Sequence, residues 1–321
     1  MRRCSSGACF EVGCLHPDRR LLQTEAHKSF NAGDTIMEHL SNSKLDDPLI
    51  HLPKIFGIDF SVTKHVLMLW LVATILFVVV TWSVRRYLKQ ERLIPTGFMN
   101  GLEAVVVFIR DSIVQPNVGS KWVQTWTPLI LTFFFFILSA NAIGLIPMFD
   151  VLAVLNHFVF HPGETSLLTR LIHGGTTATA NFNVTAALAT ITFVAIIVAG
   201  SKAHGFFTHW KNIVPHGLHP LIYILLIPIE IIGMFVKPFA LTMRLAANMT
   251  GGHIAILSIL SFVFLFTEMF SHAVGVGVGM FVSVPLAVGI SALEIIVVLV
   301  QAYVFTLLTA VFIGMAIHVH H

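Results

Sequence analysis

Apolar positions run through this chain in long unbroken blocks, not in the alternation of a sheet or the narrow stripe of a surface helix. The first block lies between Lys64 and Arg85: His65 to Val84 carries no Asp, Glu, Lys or Arg. As a helix this stretch reaches about 30 Å, the thickness of a hydrocarbon core. Arg85, Arg86, Lys89 and Arg92 follow it directly, which predicts a cytoplasmic end there and an N-terminal segment outside. Phe98 to Val114 is amphipathic: Val105, Phe108, Ile109 and Ile113 share one helical face, while Glu103, Arg110 and Asp111 sit elsewhere. It is too polar to span and predicts an interfacial helix on the cytoplasmic surface. Trp122 to Phe149 is free of charge and predicts a second span, with Asn141, Gly144 and Pro147 at its outer end. The connection over 150–175 holds a single Lys or Arg, Arg170, as an external segment should. Asn183 to Gly200 predicts the third span, and Lys202, His204, His209 and Lys211 an internal loop.

The final stretch divides at Gly275, Gly277, Gly279 and Pro285 into two long helices, about 218–272 and 283–318. The first would measure about 80 Å if continuous. It must therefore tilt strongly, kink at Pro228 or Pro238, or break. The expected fold is an all-α polytopic membrane protein. It has about five membrane helices and one interfacial amphipathic helix, the last two spans forming a long, strongly tilted hairpin with the C-terminus cytoplasmic. Residues 1–62 read as a polar extramembrane segment and 63–321 as the membrane domain, with its functional core at 218–318.

Composition sharpens this picture. The chain is 56% hydrophobic and 11% charged, with a mean hydropathy of +0.84; soluble domains carry about 25% charged residues. The segment 1–64 holds 16 charged side chains, equally basic and acidic, and the whole remainder of the chain only 19. A soluble enzyme and a disordered chain are excluded. The net charge of +3 and the lack of a basic stripe argue against nucleic acid as a partner. Cys4, Cys9 and Cys14 are odd in number and lack the close pairing of a zinc site. They read as part of a tail, and no metal or cofactor is expected. Residues 1–30 have no apolar core of the secretory kind, and Met37 begins a plausible alternative start. No GxxxxGK[ST] phosphate loop occurs.

Beyond Lys211 the only charged residues are Glu230, Lys237, Arg244, Glu268 and Glu294. An ionisable group at mid-membrane costs about 2.5–3.5 kcal/mol on insertion scales and marks a functional path. Arg244 has Phe239, Ala240 and Leu241 before it and Leu245, Ala246 and Ala247 after it. Its guanidinium cannot shed its proton, so it needs a partner on another helix or chain. Ala240, Ala247, Gly251, Ala255 and Ser258 recur beside it at helical spacing. Such a stripe suits either a docking partner helix or ordinary close packing inside the subunit. Glu230 precedes Arg244 by about four helical turns, near the same face. Asn248 is one turn beyond Arg244; His253 follows, and Glu294 and Gln301 share a face of the last helix, two turns apart. A His, a Glu and a Gln are suited to a proton-bearing water chain, although a lone buried histidine more often bonds a backbone carbonyl. Glu268 reads as a helix-end charge, with His272 one turn later. The spacing describes a polar route interrupted by one permanent cation.

Pro238-Phe-Ala-Leu-Thr-Met-Arg244-Leu-Ala-Ala-Asn248-Met-Thr-Gly-Gly252-His253 resembles the signature of subunit a of F-type ATP synthases. The resemblance extends through Ile229-Glu230-Ile-Ile, Glu294, Leu299-Val-Gln301-Ala-Tyr-Val-Phe, Ala180-Asn-Phe-Asn183-Val-Thr185 and Asn141-Ala-Ile-Gly144-Leu-Ile-Pro147. It covers about 60–318. It implies a non-catalytic, proton-translocating stator subunit with two offset half-channels against a rotating c-ring. Arg244 resembles the essential arginine. Asn248, His253, Glu294 and Gln301 resemble the outer half-channel, and Glu230 the cytoplasmic one. The small residues Ala240, Ala247, Gly251 and Ala255 would face the c-ring. Asn181 stands where many relatives carry Asp, and Ala240 where Ser is common. The resemblance also implies the subunit b peripheral stalk and the lipid bilayer as partners, and a bacterial inner membrane. The competing readings are a proton-coupled secondary transporter or channel, for which no internal repeat is visible, and a structural scaffold, which gives no reason to bury charges.

Overall fold

The computed structural model describes residues 64–89, 97–145, 178–211 and 220–318. Among them every regular element is helical. Helix α1 is Lys64–Lys89. Helix α2, Phe98–Phe108, runs into a π-helical stretch, Ile109–Val114, and then into the short α3, Gln115–Val118. Helix α4 is Val123–Leu145, and a 3₁₀ turn, Ala178–Ala180, leads into α5, Phe182–His204, and the short α6, Phe206–Lys211. Helix α7 is Pro220–Met269. Then α8, His272–Val278, a second π-helical stretch, Gly279–Ser283, and α9, Val284–Ile317, form one rod. Among the described residues, five segments are long and apolar enough to cross a membrane: α1, α4, α5, α7 and the α8–α9 rod. The polar N-terminal segment with its cysteines and Met37, the connection over 150–175, Pro147 and Arg92 all lie outside the described residues.

Helix α9 is the hub, packed on α4, α5, α7 and α3. Its inward residues Ala302, Phe305, Ala310 and Ile313 are fully buried, and Phe305 meets Phe133 of α4 edge-on at 5.5 Å between ring centres. The amphipathic stretch contributes to this core. Ile109 and Ile113 are fully buried, as expected from their shared face, and Val114 and Val118 join them. The π-helical turn carries more residues per turn than an α-helix, which swings Phe108 out to an exposed position stacked on Tyr303. Gly314 permits the closest approach in this region: a Cβ there would stand 2.2 Å from the Asn117 carbonyl oxygen.

The two long helices pack as a hairpin, but its corner is not at the glycine run. Helix α7 continues through Pro228 and Pro238 for 50 residues, about 75 Å at helical rise, so it must lie oblique to a bilayer. It ends at Met269. Ser271 is extended (φ −167°), and its hydroxyl accepts from the Val274 N–H as the N-cap of α8. Gly275 and Gly279 are helical and serve a different purpose. A Cβ on Gly275 would sit 2.9 Å from the Thr267 backbone, and one on Gly279 3.1 Å from Val263. They let α8 fold back against α7.

Candidate functional site

Helix α7 divides lengthwise. Leu241, Thr242, Leu245, Ala246 and Met249 are buried against the bundle. Ala240, Arg244, Ala247 and Gly251 are exposed on the opposite side, so these small residues are covered by none of the described residues. Ala255, further along, is half-buried. Arg244 makes no hydrogen bond or ion pair with any described residue; the ion pair found among them joins the exposed neighbours Arg110 and Asp111. A fixed cation with apolar neighbours is therefore presented outward, on a strip smooth enough for another helix to come close.

One turn on, the chemistry turns inward. Asn248 sits at the exposed edge of the strip, and its side-chain amide donates to Gln301 Oε1 at 3.0 Å, joining α7 to α9. Gln301 and Glu294 are each 5% exposed, two turns apart on the same α9 face. Both Glu294 carboxyl oxygens are buried, and neither takes a hydrogen bond from a described residue. Glu294 Oε1 fills the space that a side chain on Gly252 would need, and His253 is the next residue along α7. Burying a carboxyl is costly unless it is neutral or paired. A carboxyl beside an imidazole can share or relay one proton, which is the chemistry this pair offers.

Beyond this cluster lie polar contacts that the sequence reading did not assign. The Thr250 hydroxyl donates to the Ala180 carbonyl at 3.3 Å, tying α7 to the 3₁₀ turn. The buried Thr179 hydroxyl donates to Asn141 Oδ1 of α4, and the Asn141 amide nitrogen is buried with no partner among the described residues. Asn141 had marked only the end of a span; the clue available was an Asn in an otherwise apolar block, opposite a Thr-rich one. Asn181 has a local role: its side chain accepts from the Asn183 N–H at 2.9 Å and caps α5.

The remaining residues are placed apart from this cluster. Glu230 is half-buried on α7, about four helical turns before Arg244. Lys237 lies over the Phe312 ring of α9 at 5.6 Å, a cation–π contact, and Glu268 is exposed at the end of α7.

A family profile matches residues 66–314, nearly the full extent of the bundle just described: that of the ATP synthase A chain. The chain belongs to the ATP synthase A chain family. It is 39% identical over 302 residues to ATP synthase subunit a of Pelodictyon phaeoclathratiforme, covering 91% of this chain and 78% of that protein. It is 40% identical over 304 residues to ATP synthase subunit a of Chlorobium phaeobacteroides, covering 92% and 78%. Against ATP synthase subunit a of Anaeromyxobacter dehalogenans it is 40% identical over 270 residues, covering 83% and 60%. As an A chain, it is an integral membrane protein of a proton-translocating ATP synthase, and its outward arginine and inward polar cluster both lie within the matched region.

Proposed function

We propose that this chain is the stator half of the proton path, non-catalytic itself, with two offset half-channels that open on opposite sides of the membrane. The observation that carries the proposal is the division of α7. Arg244 and the small strip face out, while Asn248, one turn later, bonds inward to a cluster of Gln301, Glu294 and His253. A proton enters from the non-cytoplasmic side through Asn248, His253, Glu294 and Gln301 and neutralises a carboxylate on the c-ring. A neutral carboxyl can travel through lipid; the ionised form cannot. After nearly a full rotation the proton leaves through the cytoplasmic half-channel beside Glu230. Arg244 then attracts the bare carboxylate and blocks a direct leak. Each charge that crosses gains about 2.3 kcal/mol per 100 mV. The partners are the c-ring, against Ala240, Ala247, Gly251 and Ala255, and the subunit b peripheral stalk. The membrane is a bacterial inner membrane, with the N-terminus outside and the C-terminus cytoplasmic.

Arg244→Ala in the assembled complex should abolish both ATP-driven pumping and proton-driven synthesis in vesicles. Normal coupled synthesis by that variant would refute the role. Exchanging the outer pair (His253→Glu with Glu294→His) should retain more activity than either single change, and equal loss in all three would argue against a shared proton site.

A further inference from the structure

The last three turns of α1 carry a feature that proton movement does not use. Phe77, Trp82, Arg85, Arg86 and Lys89 line one groove of about 530 Å³, together with the Thr81 hydroxyl. The groove is graded. Phe77 is 71% exposed and Trp82 60%, and both lie toward the middle of the span; the three cations lie at its end. The Arg86 guanidinium is centred 5.2 Å over the Trp82 ring. This stacking orders the side chain while leaving its N–H edges free to donate. No carboxylate among the described residues pairs with Arg85, Arg86 or Lys89. Three cations so close in sequence repel one another, and the helix C-terminus offsets only part of that.

We propose that this groove binds one anionic glycerophospholipid of the leaflet at the C-terminal end of α1. The phosphate sits among Arg85, Arg86 and Lys89, and an acyl chain runs down past Trp82 and Phe77. The dimensions fit. Phe77 to Lys89 spans about 18 Å along the helix, close to one leaflet's half of a roughly 30 Å hydrocarbon core plus the start of the headgroup zone. Charge and apolar surface stand in the order in which a phospholipid presents them. A free phosphate would leave the aromatic wall uncovered, and an acidic peptide would not enter the hydrocarbon.

The test uses the assembled complex in nanodiscs that contain a phospholipid with a photoactivatable acyl chain, with either a phosphatidylglycerol or a phosphatidylcholine headgroup. Labelled peptides are mapped by mass spectrometry. Each basic residue near a membrane surface is worth about fivefold in preference for anionic lipid. Labelling of the 77–89 segment should therefore favour phosphatidylglycerol strongly, by up to about a hundredfold for three cations. Arg86→Gln should cut that preference about fivefold at unchanged complex yield. This variant keeps Arg85 and Lys89 to orient the helix, so it remains informative if the triple variant R85Q/R86Q/K89Q fails to insert; where the triple variant inserts, the preference should vanish. Equal labelling by both lipids, or a preference indifferent to Arg86→Gln, overturns the proposal. So does competition by soluble glycerol phosphate as effective as by unlabelled lipid, which would make this a simple phosphate site. Absence of lipid labelling with cross-linking to another subunit instead would make it a protein contact and also overturn it.

Discussion

Gly252 is the position where a single methyl group tests the buried cluster most sharply. In Gly252→Ala the new Cβ would stand 2.6 Å from Glu294 Oε1 and 3.0 Å from Glu294 Cδ. Ordinary contact begins at 3.4 Å, so the oxygen must retreat about 0.8 Å. The end of a Glu side chain can rotate, so the helices need not separate. If it could not move, overpacking would cost about 1–3 kcal/mol. The expected result is a complex that assembles normally with the Glu294 carboxyl displaced by nearly an ångström from its place over Gly252. Misplacing a reacting group by about 1 Å costs on the order of a hundredfold, so passive proton conduction should fall ten- to a hundredfold. The assay is the decay of a pH gradient in vesicles holding the membrane sector alone, with complex content measured in parallel. Gly289→Ala on α9 is the control for adding a methyl, because a Cβ there would meet no atom of another described element within 4 Å. Conduction by Gly252→Ala equal to that of Gly289→Ala would refute the claim that the Glu294 carboxyl beside Gly252 carries the proton.

Gly314→Ala should behave differently, because its Cβ would meet backbone, the Asn117 carbonyl oxygen at 2.2 Å. The helices must part, and the variant should accumulate poorly in the membrane and lose about 1–3 kcal/mol, read as a lower Tm of the solubilised complex. His209, outside the spans, is 7% exposed with its ring packed over Gly200; burial, and then the charge of nearby His204, push its pKa below the ordinary 6.5. The unfolded chain therefore takes up this proton first as pH falls. Its stabilising contribution is complete above 6.5 and is lost as pH falls through the lower native value. Tm measured against pH should decline on the acid side and decline less in His209→Gln; equal slopes would refute this. Thr179→Val should leave Asn141 Oδ1 buried without its donor and cost about 1–3 kcal/mol. The double variant with Asn141→Leu should cost less than the sum of the two singles, and additive losses would show that the contact contributes nothing.

Much of the fold was legible in the chain because a bilayer imposes a coarse rule: a span needs about 20 apolar residues, and every charge left inside needs a reason. The predicted spans at 65–84, 122–149 and 183–200 correspond to α1, α4 and α5, and the shared apolar face of Ile109 and Ile113, buried in the bundle, was visible from spacing alone. The hairpin corner was misread because glycine serves two purposes. A run of glycines signals a break in a chain viewed alone, but here Gly275 and Gly279 are helical and make room for α7, and Ser271 marks the turn. That distinction depends on what lies opposite each Cα, which periodicity does not encode.

The candidate site divides along the same line. By itself the sequence singled out the candidate residues: in a region nearly free of charge, Glu230, Arg244 and Glu294 have no background to hide in. It also determined the family, through the motif around Arg244. It left open whether the small residues beside Arg244 pack inside the subunit or face out, since spacing on one helix is the same in both cases. The tertiary structure decided this by turning Leu241, Leu245 and Met249 inward and leaving Ala240, Ala247 and Gly251 exposed. It also decided that Asn248 meets Gln301 from a distant part of the chain, that Glu294 lies over Gly252, and that Asn141 meets Thr179. Composition and hydropathy act on each segment separately, so the sequence could settle which segments enter the membrane. The pairing of polar groups depends on how the helices are rotated against one another, and in a helix apolar on every face only packing sets that rotation.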